Sequence, residues 1–394
     1  MRNSSRLAAV GLALIAGVGL VASGDAQARV EDGNAAIKSG DYASAMRELR
    51  PLAEAGDPEA QAGVGILYLR GYGVPTDYAE AAKWLSAAAD AGIALAQHNL
   101  GVLYENGQGV PQDLTAARRW YRRAAEQGDR ESQFNLGLMY QEGRGVVGHD
   151  TEAVNWFRLS ADQGLPEAQR MLGLMYLNGR GVERDAAQAL EWLRRAAGQG
   201  LALADNDIAT IYRTGNGVAQ DYAAALEVYR RAADRGVLEA QHNLGFMYEE
   251  GQGVEANAAE AARWYRRAAD AGYALSQHSL GNLYLNGNGV ELDYVAAYAW
   301  FLKAAEQGLA YAQNSLGALY AMGAGVPKDD VEAVRWLRLA AAQNDAKALY
   351  NLALCYALGR GVEKDDAEAL QLTRRAAALG HPRAQEIVRR IDRR

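Results

Sequence analysis

The chain has 394 residues, a formal net charge of −7, 43 glycines and a single cysteine. With 49% hydrophobic residues it can bury a core, which excludes a disordered tail, and one cysteine excludes a disulfide-stapled miniprotein. An acidic balance without a lysine-rich tract also argues against nucleic acid as a partner, because that binding needs a basic face.

At the N-terminus, Arg2 and Arg6 precede residues 7–21, an apolar stretch broken only by glycines, and Ala26-Gln27-Ala28 supplies small residues before Arg29. This order predicts a signal peptide over 1–28, cleaved after Ala28, and a periplasmic or secreted mature chain. The stretch is short for a span of about 20 residues, so no stable membrane insertion is expected after cleavage. Arg29, not a cysteine, stands directly after the signal, so no lipid anchor is expected either. Loss of Arg2, Arg6 and Asp25 would move the net charge from −7 to −8.

A strict repeat occupies most of the remaining chain. Tyr68, Tyr104, Tyr140, Tyr176, Tyr212, Tyr248, Tyr284, Tyr320 and Tyr356 are each 36 residues apart. Trp84, Trp120, Trp156, Trp192, Trp264, Trp300 and Trp336 share that period, with Val228 and Leu372 in the remaining two slots. A period of this length marks a solenoid, whose units are too small to bury their own apolar faces and must stack.

Within one unit, Leu100, Leu103 and Tyr104 follow Ala96 on one stripe of a first helix. Gly101 sits inside that helix at a cost of about 1 kcal/mol, which predicts a close approach to a second helix. Gly107-x-Gly109-Val110 makes the turn, Asp113 caps the second helix, and Gly128 closes it. The cap slot departs only at His149, and the closing slot only at Asn344, the other residue that tolerates a left-handed cap. Nothing about these glycines marks a phosphate loop, since no strand precedes them and no Lys-Ser/Thr follows.

The unit A-Q-x-N-L-G-x-L-Y-x-x-G-x-G-V-x-x-D-x-x-x-A-x-x-W-x-x-x-A-A-x-x-G closely resembles the Sel1-like repeat, a relative of the tetratricopeptide repeat. The resemblance implies an all-α fold, a right-handed α/α superhelical solenoid of tandem helix-turn-helix units. Nine units would span 60–383. Residues 29–59, in which Asp41-Tyr42 and Ala45 keep the register, would be a tetratricopeptide-type cap, and 384–394 a polar capping helix.

In such solenoids the first helices line the concave face, and the unspecified third, seventh and tenth positions of each unit are free to specialise. Phe134, Leu138, Arg170, Leu174, Arg213, His242, Phe246, Glu249 and His278 occupy those positions in the middle units and form the candidate partner-binding set. Aromatics and Arg anchor protein interfaces. Arg170, His242 and Phe246 read as binding residues, whereas Leu138, Leu174 and Leu177 fit core packing equally well. Asn99, Asn135, Asn243 and Asn351 belong to the repeat and read as structural hydrogen bonders. The Arg-Arg pairs beginning at Arg122, Arg194, Arg230, Arg266 and Arg374 read as solvated stems on the outer helices.

No singular catalytic constellation emerges from like residues repeated nine times, and no cofactor is expected. His242 and His278 stand on adjacent first helices but lack a third ligand nearby in sequence, so no metal site is assigned. Cys355 occupies a core slot of its helix. Cysteine-rich Sel1-repeat proteins are associated with penicillin hydrolysis, but this chain lacks their cysteines and any Ser-x-x-Lys set. The expected function is that of an exported, non-enzymatic adaptor that binds a protein or peptide in its groove, in envelope signalling or complex assembly. A scaffold for cell-wall or polysaccharide machinery is the alternative, with a β-lactamase-like hydrolase, as in the cysteine-rich Sel1-repeat proteins, the minor one. The unit at 204–239, with Asp205 and Asp207 for Q and N and Val228 for Trp, is expected to be a soft point.

Overall fold

The structure, a computed structural model, describes residues 24–392, so the signal stretch at 7–21 lies outside the described residues. Among the described residues there are 21 helices and no strand, and no helix is long and apolar enough to cross a membrane. The chain divides into two compact units, one ending at Leu201 and one beginning at Ala202.

The first unit begins with α1 (Gly24–Ser39) and α2 (Tyr42–Glu54). Four pairs follow: α3 (Pro58–Arg70) with α4 (Tyr78–Asp90), α5 (Ala94–Asn106) with α6 (Leu114–Glu126), α7 (Arg130–Glu142) with α8 (Asp150–Asp162), and α9 (Pro166–Asn178) with α10 (Ala186–Gly198). The second unit holds five pairs. These are α11 (Ala202–Thr214) with α12 (Tyr222–Asp234), α13 (Leu238–Glu250) with α14 (Ala258–Asp270), α15 (Ala274–Asn286) with α16 (Tyr294–Glu306), α17 (Ala310–Met322) with α18 (Asp330–Ala342), and α19 (Ala346–Leu358) with α20 (Asp366–Ala378). The helix α21 (Pro382–Ile391) packs on α20.

Capping chemistry sets these boundaries. Asp113 Oδ1 accepts from the N–H groups of Thr115 and Ala116, both at 2.9 Å, which satisfies donors that the first turn of α6 leaves open. Where His149 replaces the Asp, its Nδ1 accepts from Glu152 N at 3.3 Å and performs the same task. Among the described residues Asn344 is the non-glycine residue with positive φ, +61°, so it takes the left-handed cap that Gly takes elsewhere. At Gly109 the constraint is steric as well, because a Cβ there would lie 2.0 Å from the carbonyl oxygen of Tyr78.

The mid-helix glycines mark close helix contacts, as their sequence positions predict. A Cβ on Gly101 would stand 2.7 Å from the Tyr121 ring, and one on Gly137 2.6 Å from Phe157. The residue after the Trp slot fills these contacts: Tyr121, Phe157, Tyr229, Tyr265 and Phe301 are among the largest fully buried side chains, with Trp192 and Trp336 buried in the same cores as Phe157 and Phe301. Trp120 is only half-buried and lies under the Arg123 guanidinium, 4.7 Å away, a cation–π arrangement shared by Trp192 with Arg195 and Trp264 with Arg267.

Several outer arginines are likewise more engaged than solvated stems. Arg230 donates to the Tyr248 hydroxyl at 2.5 Å, and Arg266 bonds Tyr284 in the same way. Each therefore ties a second helix to the first helix of the next pair.

A buried glutamine ladder also links neighbouring pairs. Gln97 donates to Ala89 O at 3.0 Å and accepts from Gln127 Nε2 at 2.8 Å, and Gln133 with Gln163 repeats the pattern. Ala271 breaks this ladder, leaving Gln241 Oε1 buried without a hydrogen bond.

In the 204–239 repeat the ladder changes character. Asp205, 1% exposed, accepts from Arg231 at 2.5 Å, and Arg235 sits 3.6 Å away in the slot that Gln127 fills elsewhere. The irregular repeat thus carries an ionic substitute for the glutamine pair. Val228 packs with Tyr229 and Val237 in the same core cluster.

Candidate functional site

The candidate residues sort by depth once the helices pair. In the first unit Leu138 is 8% exposed and belongs to the core around Phe157 and Leu172. Leu177 is buried too, whereas Arg170 and Leu174 are half-buried on α9. Phe134 packs partly against that core, its ring centroid 5.8 Å from that of Phe157.

In the second unit Arg213 on α11, His242, Phe246 and Glu249 on α13, and His278 on α15 are all half-buried. The three α13 residues are spaced at i, i+4 and i+7 and share one stripe. Arg213 lies over the Phe246 ring at 5.6 Å, and its Nε donates a long 3.4 Å hydrogen bond to the Tyr229 hydroxyl. His242 Nδ1 pairs with Ser276 Oγ at 3.1 Å, and its ring meets those of Tyr265 and Tyr273 at 5.3 and 5.6 Å. His278 Nε2 pairs with Ser315 Oγ at 3.3 Å, against the rings of Phe301 and Tyr311.

Both imidazoles are held neutral. Burial, then the Arg213 charge, lowers His242 to about 4; burial, then Lys347, lowers His278 to about 4. Each pairs with a different serine, and among the described residues no group of three or more His, Cys, Asp or Glu converges to hold a metal. Cys355 is half-buried against the last core cluster, and burial pushes its thiol up, away from the nucleophilic thiolate.

Sequence reasoning missed the partners of the tenth-position acids. Glu249 Oε2 accepts from the Tyr265 hydroxyl at 2.7 Å, and Glu105 Oε2 accepts from Tyr121 at the same distance. Burial first, then the neighbouring carboxylate, raises both phenols far above the ordinary tyrosine range. A signal existed in the slot after Trp, which alternates among Tyr, Phe and Leu; Tyr121 and Tyr265 share their unit with Glu at position ten. The asparagines behave as expected: Asn99 donates to Leu95 O at 2.7 Å and Asn351 to Asn314 Oδ1 at 2.9 Å.

The Sel1 repeat family matches nine consecutive segments, from 58–93 through 346–381, without a gap. The chain belongs to the Sel1 repeat family. Among solved structures, this Sel1 repeat protein is similar to a protective antigen of uropathogenic Escherichia coli strains that displays an SLR fold. That likeness is 33% identical with a TM-score of 0.61, over 94% of this chain and 88% of the other. A Sel1 repeat protein from Oxalobacter formigenes is 36% identical with the same TM-score, over 81% of this chain and 91% of the other. No curated protein matches the chain. Sel1 and tetratricopeptide-like repeats are general mediators of protein–protein interaction.

Proposed function

We propose that this Sel1 repeat protein is an exported, non-enzymatic adaptor that holds a partner protein or peptide on its first-helix face, in envelope signalling or complex assembly. The observation that carries this reading is the second-unit set of Arg213, His242, Phe246, Glu249 and His278. All are half-buried and none belongs to the repeat's own packing formula. Neutral imidazoles and a ring under a guanidinium offer apolar contact with little desolvation cost, and Arg213 and Glu249 add charge selectivity.

Export draws support from the basic and apolar order of residues 1–28 and from the protective-antigen character of the 33% identical relative. Residues 1–28 would be removed, with 29–59 and 384–394 acting as caps on the repeats.

The test is photo-crosslinking in cells, with the crosslinker placed at Phe246 on a first helix or at Lys303 on a second helix. The partner is expected from position 246 and not from 303, and its capture by a crosslinker at His278 should disappear in a folded R213A/H242A/F246A variant. Capture that survives this variant, or that occurs equally from position 303, overturns the reading. N-terminal sequencing of the fractionated protein should find Arg29 first; an intact Met1 start would refute cleavage.

A further inference from the structure

Two repeats four units apart are near copies on their first-helix face, and they differ where it matters for binding. Glu105 and Glu249 occupy the same repeat position, and each accepts a hydrogen bond from the following Tyr, Tyr121 or Tyr265. In the first unit this acid is already occupied. Arg144, from the turn of the next repeat, places Nη1 2.5 Å from Glu105 Oε1, so a guanidinium completes the Glu–Tyr pair. The position equivalent to Arg144 in the second unit is Asn288, which is exposed and too short to replace it.

The neighbouring histidines differ in the same sense. His98, 3% exposed, lies 2.8 Å from Ser132 Oγ and 3.3 Å from Asp129 Oδ1. His242 keeps the serine, as Ser276, but faces the Tyr273 ring where His98 faces a carboxylate. Thus the first unit satisfies Glu105 and Asp129 internally. The second leaves a half-buried carboxylate, oriented by Tyr265, beside apolar rings and a neutral imidazole.

We infer that the Glu249–Tyr265 pair is an acceptor for an arginine side chain of the partner polypeptide, docked as Arg144 docks on Glu105–Tyr121. This deepens the adaptor reading and rests on it. Charge complementarity selects the occupant: a half-buried carboxylate gains most from a donor that is planar, always charged and weakly hydrated. The same chain displays that solution at Glu105, four repeats earlier. Arg213, at the same register on the preceding first helix and on the order of 10 Å off, favours an acidic group next to that arginine.

The probe is N-acetyl-L-arginine amide, with N-acetyl-L-citrulline amide as the uncharged control, titrated into the full chain carrying ring-labelled tyrosine and followed by NMR. The arginine probe should shift the Tyr265 ring resonances to saturation, and citrulline should bind at least tenfold more weakly. Two variants should abolish the response, E249Q by removing the charge and N288R by filling the acceptor from within. A third, R144N, should create a new response at Tyr121. Equal binding of citrulline, or a Tyr265 response that persists in N288R or E249Q, overturns the inference. The adaptor reading fails separately: a partner still captured by the R213A/H242A/F246A variant sinks it. Capture lost in that variant but intact in E249Q retains the adaptor and rejects the arginine acceptor.

Discussion

Replacing His242 by Gln should flatten the acid limb of the second unit's stability. The ring is held neutral in the fold with its pKa lowered from 6.5 to about 4, first by burial and then by Arg213. The unfolded chain therefore binds a proton near pH 6.5 that the folded chain refuses until about pH 4. Stability is fully present above pH 6.5 and falls as pH drops through this window. A shift of one unit corresponds to about 1.4 kcal/mol, so the loss between pH 7 and pH 4 is about 3 kcal/mol. Urea unfolding of wild type and H242Q at half-unit steps, followed by hydrogen exchange on α13 and α14, isolates this contribution because carboxylate titrations are common to both proteins. H242Q starts lower at pH 7, having lost its contacts with Tyr265 and Tyr273, but its slope from pH 6.5 to 4 should be smaller by close to one proton. Equal slopes, or an NMR titration that puts His242 near 6.5, would refute the argument that burial keeps the ring neutral.

Ala271→Gln should restore the glutamine ladder by donating to Gln241 Oε1, raising stability by about 1 kcal/mol in thermal unfolding. Asn344→Gly should be neutral or stabilising while Asn344→Ala costs about 1–2 kcal/mol, because an L-residue with a Cβ resists φ of +61°. Gly101→Ala places a methyl 2.7 Å from the Tyr121 ring, and overpacking of about 1–3 kcal/mol should outweigh a helix-propensity gain of about 1 kcal/mol; a higher urea midpoint would contradict it. Removing Arg231 and Arg235 together should raise hydrogen exchange in α11 and α12 more than Asp205→Asn does, since the first leaves a buried carboxylate unpaired.

The repeat period, the helix pairs, the caps at Asp113 and Asn344 and the tight contact at Gly101 were all legible in the chain, because each depends on backbone conformation and on neighbours a few residues away. His149 shows the limit: a cap was readable there only as an exception, and the structure supplies the ring nitrogen that performs it. The side chain that fills the close contact at Gly101 was not legible for a similar reason. Adjacent helical residues point about 100° apart, and only the helix pairing reveals that Tyr121 faces Gly101 while Trp120 faces a cation.

The candidate site was legible as a set of positions but not as a set of roles. Leu138 and Leu174 occupy the same slot, yet Leu138 is buried in the core and Leu174 is half-buried, a difference set by what the neighbouring repeat brings against each. Glu105 and Glu249 likewise read as identical acids, and only the side chain arriving 39 residues later, Arg144 or Asn288, decides which carboxylate is occupied. Sequence alone determined the repeat because local geometry recurs every 36 residues. Tertiary structure decided which of these two carboxylates is occupied, because the guanidinium that meets Glu105 arrives from the adjoining repeat and the repeat that holds Glu105 contains only one half of that pair.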